Sequence, residues 1–184
     1  YEQLASEWNT HNRDPVVGSF DKHNNHSDYE KYLFKDIPNS LEKDVLEFGC
    51  GPGRNLVKFT SKFKRIDGCD ISEINLTKAA QWLYANNILK HTKLYIVDGI
   101  SLGSIPTEDY DIIFSTICLQ HICVYDIRLS ILKDHFRVLR KNGYICAQMG
   151  FDTDGGSRFN QYHANNYDAD GTNGSYNDVS ITDV

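Results

Sequence analysis

Between residues 45 and 55 the chain reads VLEFGCGPGRN, and this stretch restricts the possible folds more than any other. A short apolar run, Val45-Leu46-Glu47-Phe48, enters three glycines at alternate positions, Gly49, Gly51 and Gly53; Leu56, Val57, Phe59 and Phe63 follow at helical spacing. That pattern predicts a strand, a tight turn and a helix. Glycine gives the turn access to positive φ and lets a ligand approach the main chain. The free N–H groups of the following helix face back into the turn. The local structure is that of a ligand-holding loop.

The spacing narrows the ligand. A dinucleotide turn requires G-x-G-x-x-G; counted from Gly49 the last place falls on Arg54, and counted from Gly51 it falls on Leu56, which speaks against a nicotinamide oxidoreductase. No Gly-Lys-Ser/Thr follows, so the turn is not a P-loop. A glycine-rich turn without a ligand is the bland alternative. The pattern present, Glu47-x-Gly49-x-Gly51-x-Gly53, resembles motif I of the class I S-adenosylmethionine (SAM) dependent methyltransferases. The resemblance implies that Glu47, Gly49, Cys50, Gly51 and Gly53 lie beneath the methionine and ribose portions of SAM.

The next segments fall in the order that such a fold requires. Residues 65–70 form a short predicted strand ending in Asp70, 17 positions beyond Gly53. In a doubly wound sheet, adjacent strand ends line the ligand crevice, and an acid there can accept both ribose hydroxyl protons. The resemblance assigns that role to Asp70 and places Ile71 beside the cofactor; Ser72 is the better cap for the helix carrying Ile74, Leu76, Ala79, Ala80 and Leu83. Residues 94–97 form a third strand ending in Asp98-Gly99, which by resemblance would read the adenine, although Asp-Gly is also a common turn.

A fourth strand, at residues 112–114, opens at Ser115 into the segment 115–122, STICLQHI. The Asp/Asn-Pro-Pro-Tyr tetrad of DNA and protein amino-methylating enzymes is absent here, as is the Pro-Cys of cytosine C5 enzymes. The segment is similar instead to the Leu-x-His segment of small-molecule methyltransferases. Ser115 is the last cofactor-side residue, and His121 is the candidate general base, since a neutral imidazole, ordinarily titrating at about 6.5, can take a proton from an oxygen or nitrogen acceptor. A purely structural role for His121, starting the next helix, stands beside this. A long helix follows with Ile127, Ile131, Leu132, Phe136 and Leu139 on its apolar side; Asn142-Gly143 is expected to stop it, and residues 144–149 form strand five.

The expected fold is one α/β domain, a doubly wound and mostly parallel sheet of order 3-2-1-4-5 with helices on both faces. Its 184 residues, 40% hydrophobic, suit a single core. Residues 1–40 are expected to be a helical lid region, 41–150 the SAM-binding core and 151–184 a polar, loop-rich segment. Only 35 positions follow Met149, so the family's C-terminal hairpin is expected to be missing through truncation, leaving an exposed edge on strand five. Tyr1 stands where a native start would be Met.

Partners follow from charge and cysteine usage. A formal charge of -6 with scattered Lys and Arg argues against nucleic acid, and no run of about 18 apolar residues offers a membrane span. Five cysteines without zinc spacing read as free thiols of a reducing, cytoplasmic compartment. No metal is expected: His23 and His26 lie in a hydrated loop, and Asp152, Asp154, Asp168 and Asp170 lack the Glu of an EF-hand. The functional expectation is methyl transfer from SAM, leaving S-adenosylhomocysteine, to a small-molecule acceptor. The alternative is a module of the same fold that holds SAM as a sensor or scaffold. The acceptor atom, O, N, S or C, and the number of subunits stay open.

Overall fold

A computed structural model of the chain describes residues 30–122 and 124–148. The remainder of the segment expected to be a lid, with His23 and His26, the thiol Cys123 and the acids from Asp152 onward lie outside the described residues.

Strand β1, Asp44–Phe48, is the middle of the sheet and is buried throughout, its apolar Val45, Leu46 and Phe48 together with the acids Asp44 and Glu47. Around it stand β2 (Arg65–Asp70), β3 (Leu94–Ile96), β4 (Tyr110–Ser115) and β5 (Leu139–Ala147), in the order β3-β2-β1-β4-β5, every pairing parallel. Alternation along β1 divides its side chains between two cores. Leu46 and Phe48 join Ile131 and Val138 of helix α4 (Tyr125–Val138); Val45 joins Leu56 and Phe59 of α2 (Arg54–Phe59) and Leu83 of α3 (Glu73–Ala85). Helices therefore cover both faces, and each fully buried Leu or Ile contributes about 1.5–3 kcal/mol.

At the described start of the chain, helix α1 (Glu30–Leu33) leads to Phe34, whose ring meets those of Phe59, Phe63 and Phe114 edge-on at 5.1–5.4 Å. Phe63 thus belongs to the core although α2 ends four residues earlier, at Phe59. Ser72 caps α3 as read from sequence, its hydroxyl accepting the N–H of Asn75 at 3.1 Å.

The last helix-strand boundary differs from the sequence reading. Helix α4 ends at Val138, and Leu139 is already in β5, paired with Tyr110. Asn142, at φ 64, sits where the register with β4 shifts, so Asn-Gly forms an irregularity inside a strand instead of stopping a helix. A Cβ on Gly143 would stand 2.9 Å from the carbonyl oxygen of Asp111, so the two backbones approach closely. Phe136 is 71% exposed, whereas His135, one place earlier, is buried with Ile131 and Val138. The spacing 131, 135, 138 follows the 3.6 period, and Phe136 lies off it.

Charged groups lock the amino ends of the strands. Arg140 of β5 reaches Asp44 of β1 and Asp111 of β4, both at 2.9 Å, and Arg65 of β2 meets Asp109 at 3.1 Å while lying 4.6 Å over the Tyr110 ring. The opposite, carboxyl ends remain for the site.

Candidate functional site

The glycine turn hooks from β1 over β2. The N–H groups of Gly49 and Cys50 both donate to the carbonyl oxygen of Cys69, at 2.9 and 3.0 Å. Two of the glycines are required for different reasons. Gly49, at φ 72, lies against Cys118, and an added Cβ would come within 2.3 Å of its Sγ; Gly51, at φ 50, has nothing within 4 Å of that position. Gly49 therefore closes the turn against the loop after β4, while the backbone at Gly51 borders open space.

Asp70 ends β2 beside this opening and is 8% exposed. Its Oδ2 accepts the N–H of Gly51 at 2.8 Å, and its Oδ1 accepts the N–H of Ser72 at 2.8 Å and the amide of Asn75 at 3.4 Å. These bonds orient the carboxylate toward the turn. Ile71, 50% exposed, follows, and a Cβ on Gly99 would stand 2.6 Å from its Cδ1, so the ends of β2 and β3 meet through an apolar contact.

Beneath the turn lies a buried polar set. Glu47 is 1% exposed; Nδ2 of Asn55 donates to its Oε1 at 2.6 Å and to Oγ1 of Thr116 at 3.0 Å. Oε2 of Glu47 has no hydrogen-bond partner. Burial pushes the Glu47 carboxyl up to about 8, against the lowering effects of Asn55 and Arg54. Burial likewise raises the thiols of Cys50, Cys69 and Cys118, the last to about 12, so they are neutral and unreactive near pH 7.

At the end of β3, the exposed Asp98 holds its own loop: Oδ1 accepts the N–H groups of Ile100 and Ser101 at 2.8 and 2.7 Å, and these bonds lower its pKa. The site's other rim is the loop after β4. Ser115 is buried there, and Ile117 adopts φ 55, a conformation that a β-branched residue enters only when its surroundings impose it. The Ile117 N–H donates to Oε1 of Gln148, just past the end of β5, at 2.9 Å. His121, half-buried, ends the 3-10 turn Leu119–His121, four residues ahead of α4, with its N–H on the carbonyl of Cys118 at 2.9 Å.

The structure thus brings Gly51 to Asp70, Gly49 to Cys118 and Ile71 to Gly99, while Asp98 engages its own loop. Asn55, Thr116, Ile117 and Gln148 join this candidate site by hydrogen bonds, and the sequence reading singled out none of them. Their partners lie 61 positions away for Asn55 and Thr116, and 31 for Ile117 and Gln148. Only the polarity of Asn55 on the buried side of α2 was a local signal.

A five-stranded parallel sheet of this order, with a glycine turn and acids at its strand ends, is a Rossmann-like arrangement consistent with the class I, SAM-dependent methyltransferase fold. Residues 45–143 match the family model described as a methyltransferase domain, and the chain belongs to that family. No curated protein matches it in sequence. Among solved structures it is similar to a putative methyltransferase from Bacillus halodurans (20% identity, TM-score 0.59, covering 70% of this chain and 53% of that one). It is also similar to the 4+2 cyclase SpnF (18%, 0.59, 73% and 49%). A third is geranyl diphosphate C-methyltransferase from Streptomyces coelicolor, solved with Mg2+, geranyl diphosphate and S-adenosyl-L-homocysteine (14%, 0.57, 78% and 52%). At these identities the likeness is one of fold, and the chain spans about half the length of these structures. No helix among the described residues is long and apolar enough to cross a membrane.

Proposed function

We propose that the chain transfers the methyl group of SAM to a small-molecule acceptor. One observation carries the reading: Asp70 is fixed on the open glycine turn while Glu47, with a free carboxyl oxygen, is buried under that turn. The orphaned oxygen, the open space at Gly51 and the apolar Ile71 suit a ligand with an ammonium, a ribose and a flat base. On this reading residues 41–150 are the cofactor-binding unit and residues 1–40 its lid.

When bound, SAM supplies an electrophilic methyl carbon on a sulfonium. Asp70 would accept hydrogen bonds from the ribose hydroxyls, and Glu47 Oε2 would receive the ammonium. Gly49, Cys50, Gly51 and Gly53 would form the floor with their main chain, while Ile71, Asp98 and Gly99 would flank the base. Ser115 would border the methionine arm. Charge disperses during methyl transfer, so alignment in a dry site supplies most of the acceleration. His121 takes the acceptor's proton on an imidazole nitrogen. A small acceptor is favoured by the segment 115–122 and by the geranyl diphosphate of one structural neighbour.

The rival reading is a SAM-binding module without methyl transfer, and it draws support from the similarity to SpnF, a protein named as a cyclase. Incubation with methyl-labelled SAM and pooled metabolite extracts separates the two. Label appearing in an acceptor supports transfer; retained SAM with no labelled product supports the module.

A further inference from the structure

Asn55 stands where the end of β1 meets the end of β4. It is 3% exposed, on the same helix as the buried Leu56 and Phe59, in a place where an apolar side chain would satisfy the packing. Both hydrogens of its amide are used, one on Glu47 and one on Thr116, and its Oδ1 accepts Nε of Arg54 at 3.3 Å. An apolar residue there would leave both oxygens of the buried Glu47 carboxyl without a partner, a costly arrangement. With Asn55 present, one oxygen is held and the other, Oε2, is left over.

We propose that Asn55 is a positioning residue for cofactor capture: it holds Glu47 by Oε1 and ties it to Thr116, so that Oε2 receives the cofactor's ammonium as the Glu47 proton leaves. This rests on the methyltransferase reading and adds to it a coupling of binding to proton release. Before binding, the carboxyl is neutral near pH 7, because burial raises it to about 8. The groups acting on it are Arg54 from the head of α2 and Asp70 from the end of β2, with the thiols of Cys50 in the turn, Cys69 in β2 and Cys118 after β4. Those thiols carry no charge near pH 7, leaving Arg54 and Asp70 to oppose one another. On binding, the carboxyl O–H bond breaks, the proton passes to solvent, and the carboxylate pairs with the ammonium. Asn55 favours that outcome because its hydrogen bond stabilises the ionised form.

The test is calorimetric titration of the whole chain with S-adenosylhomocysteine and with 5′-methylthioadenosine, which keeps the thionucleoside and lacks the amino-acid arm. Buffers of different ionisation heat count the protons. At pH 7 the parent protein should release about one proton per S-adenosylhomocysteine and none with methylthioadenosine. Asn55→Ala should weaken S-adenosylhomocysteine about tenfold, leave methylthioadenosine within about twofold, and move the rise in affinity to higher pH. Binding of both ligands without proton release from the parent overturns this proposal alone, as does an equal loss for both ligands in the variant. A parent protein that binds neither ligand overturns the methyltransferase reading and this proposal with it. The proton count is made on the parent, so the test survives a variant that fails to fold.

Discussion

The N–H of Gly51 donates to Oδ2 of Asp70 at 2.8 Å, so the carboxylate ending β2 is fixed on the glycine turn that ends β1. These two positions are 19 residues apart and belong to different strand-turn units; the parallel pairing of β1 with β2, Phe48 opposite Cys69, makes them neighbours.

On the proposed reading Asp70 accepts hydrogen bonds from two ribose hydroxyls, and replacing it removes that acceptor. Asp70→Ala should lose about 3 kcal/mol of SAM affinity, about a hundredfold, from two charge-assisted hydrogen bonds partly compensated by water. Equilibrium dialysis measures this, with thermal melts alongside because Asp70 also holds Ser72 and Asn75. Affinity within about threefold of the parent would show that Asp70 has no ribose role.

Gly49 and Gly51 should respond differently to the same substitution. Gly49→Ala combines a positive φ with a methyl 2.3 Å from Cys118 Sγ, and should cost about 3 kcal/mol of stability in urea unfolding. Gly51→Ala meets open space, so its cost should be only about 1–2 kcal/mol from φ. Its SAM affinity should nevertheless fall at least about tenfold, because the methyl enters the ligand's path. Parent-like SAM binding by Gly51→Ala would place the ligand elsewhere.

With an acceptor in hand, His121→Ala and His121→Asn should lower turnover by about a hundredfold while SAM affinity stays the same, and the acidic limb of the pH profile should disappear. Turnover equal to the parent's in both variants would leave positioning alone to explain the rate.

His135 gives the protein an acid-sensitive core. Both its ring nitrogens lack hydrogen-bond partners, the ring meets Phe48 edge-on at 5.1 Å, and burial lowers its pKa from 6.5 to about 4. The folded state binds its proton less readily than the unfolded chain does. This group's contribution is therefore full above about pH 6.5, falls as pH drops toward about 4, and amounts to about 3 kcal/mol across that window. Urea unfolding from pH 4 to 7 should show that slope in the parent and a shallower one in His135→Leu. Identical slopes would exclude His135 as the source.

Much of this was legible in the sequence, and the limits have physical causes. The β1-turn-α2 unit declared itself through alternate glycines between an apolar run and a helical stripe, and Asp70 through its place at a strand end. Both are signals within one chain segment. Asn55 is different: its meaning depends on Thr116, which only the β1-β4 pairing brings near. Phe136 was expected on the buried side because of its hydrophobicity, but it is exposed, and the helical period presents His135 to the sheet instead. At Asn142-Gly143 a turn signal was read as a helix stop, where the close approach of β4 makes it an irregularity in β5.

Calorimetric titration of the full chain with SAM, S-adenosylhomocysteine and NAD tests the central claim most directly. SAM and S-adenosylhomocysteine should bind at one shared site, each displacing the other, with no heat from NAD. Binding of NAD with none of SAM would contradict the account.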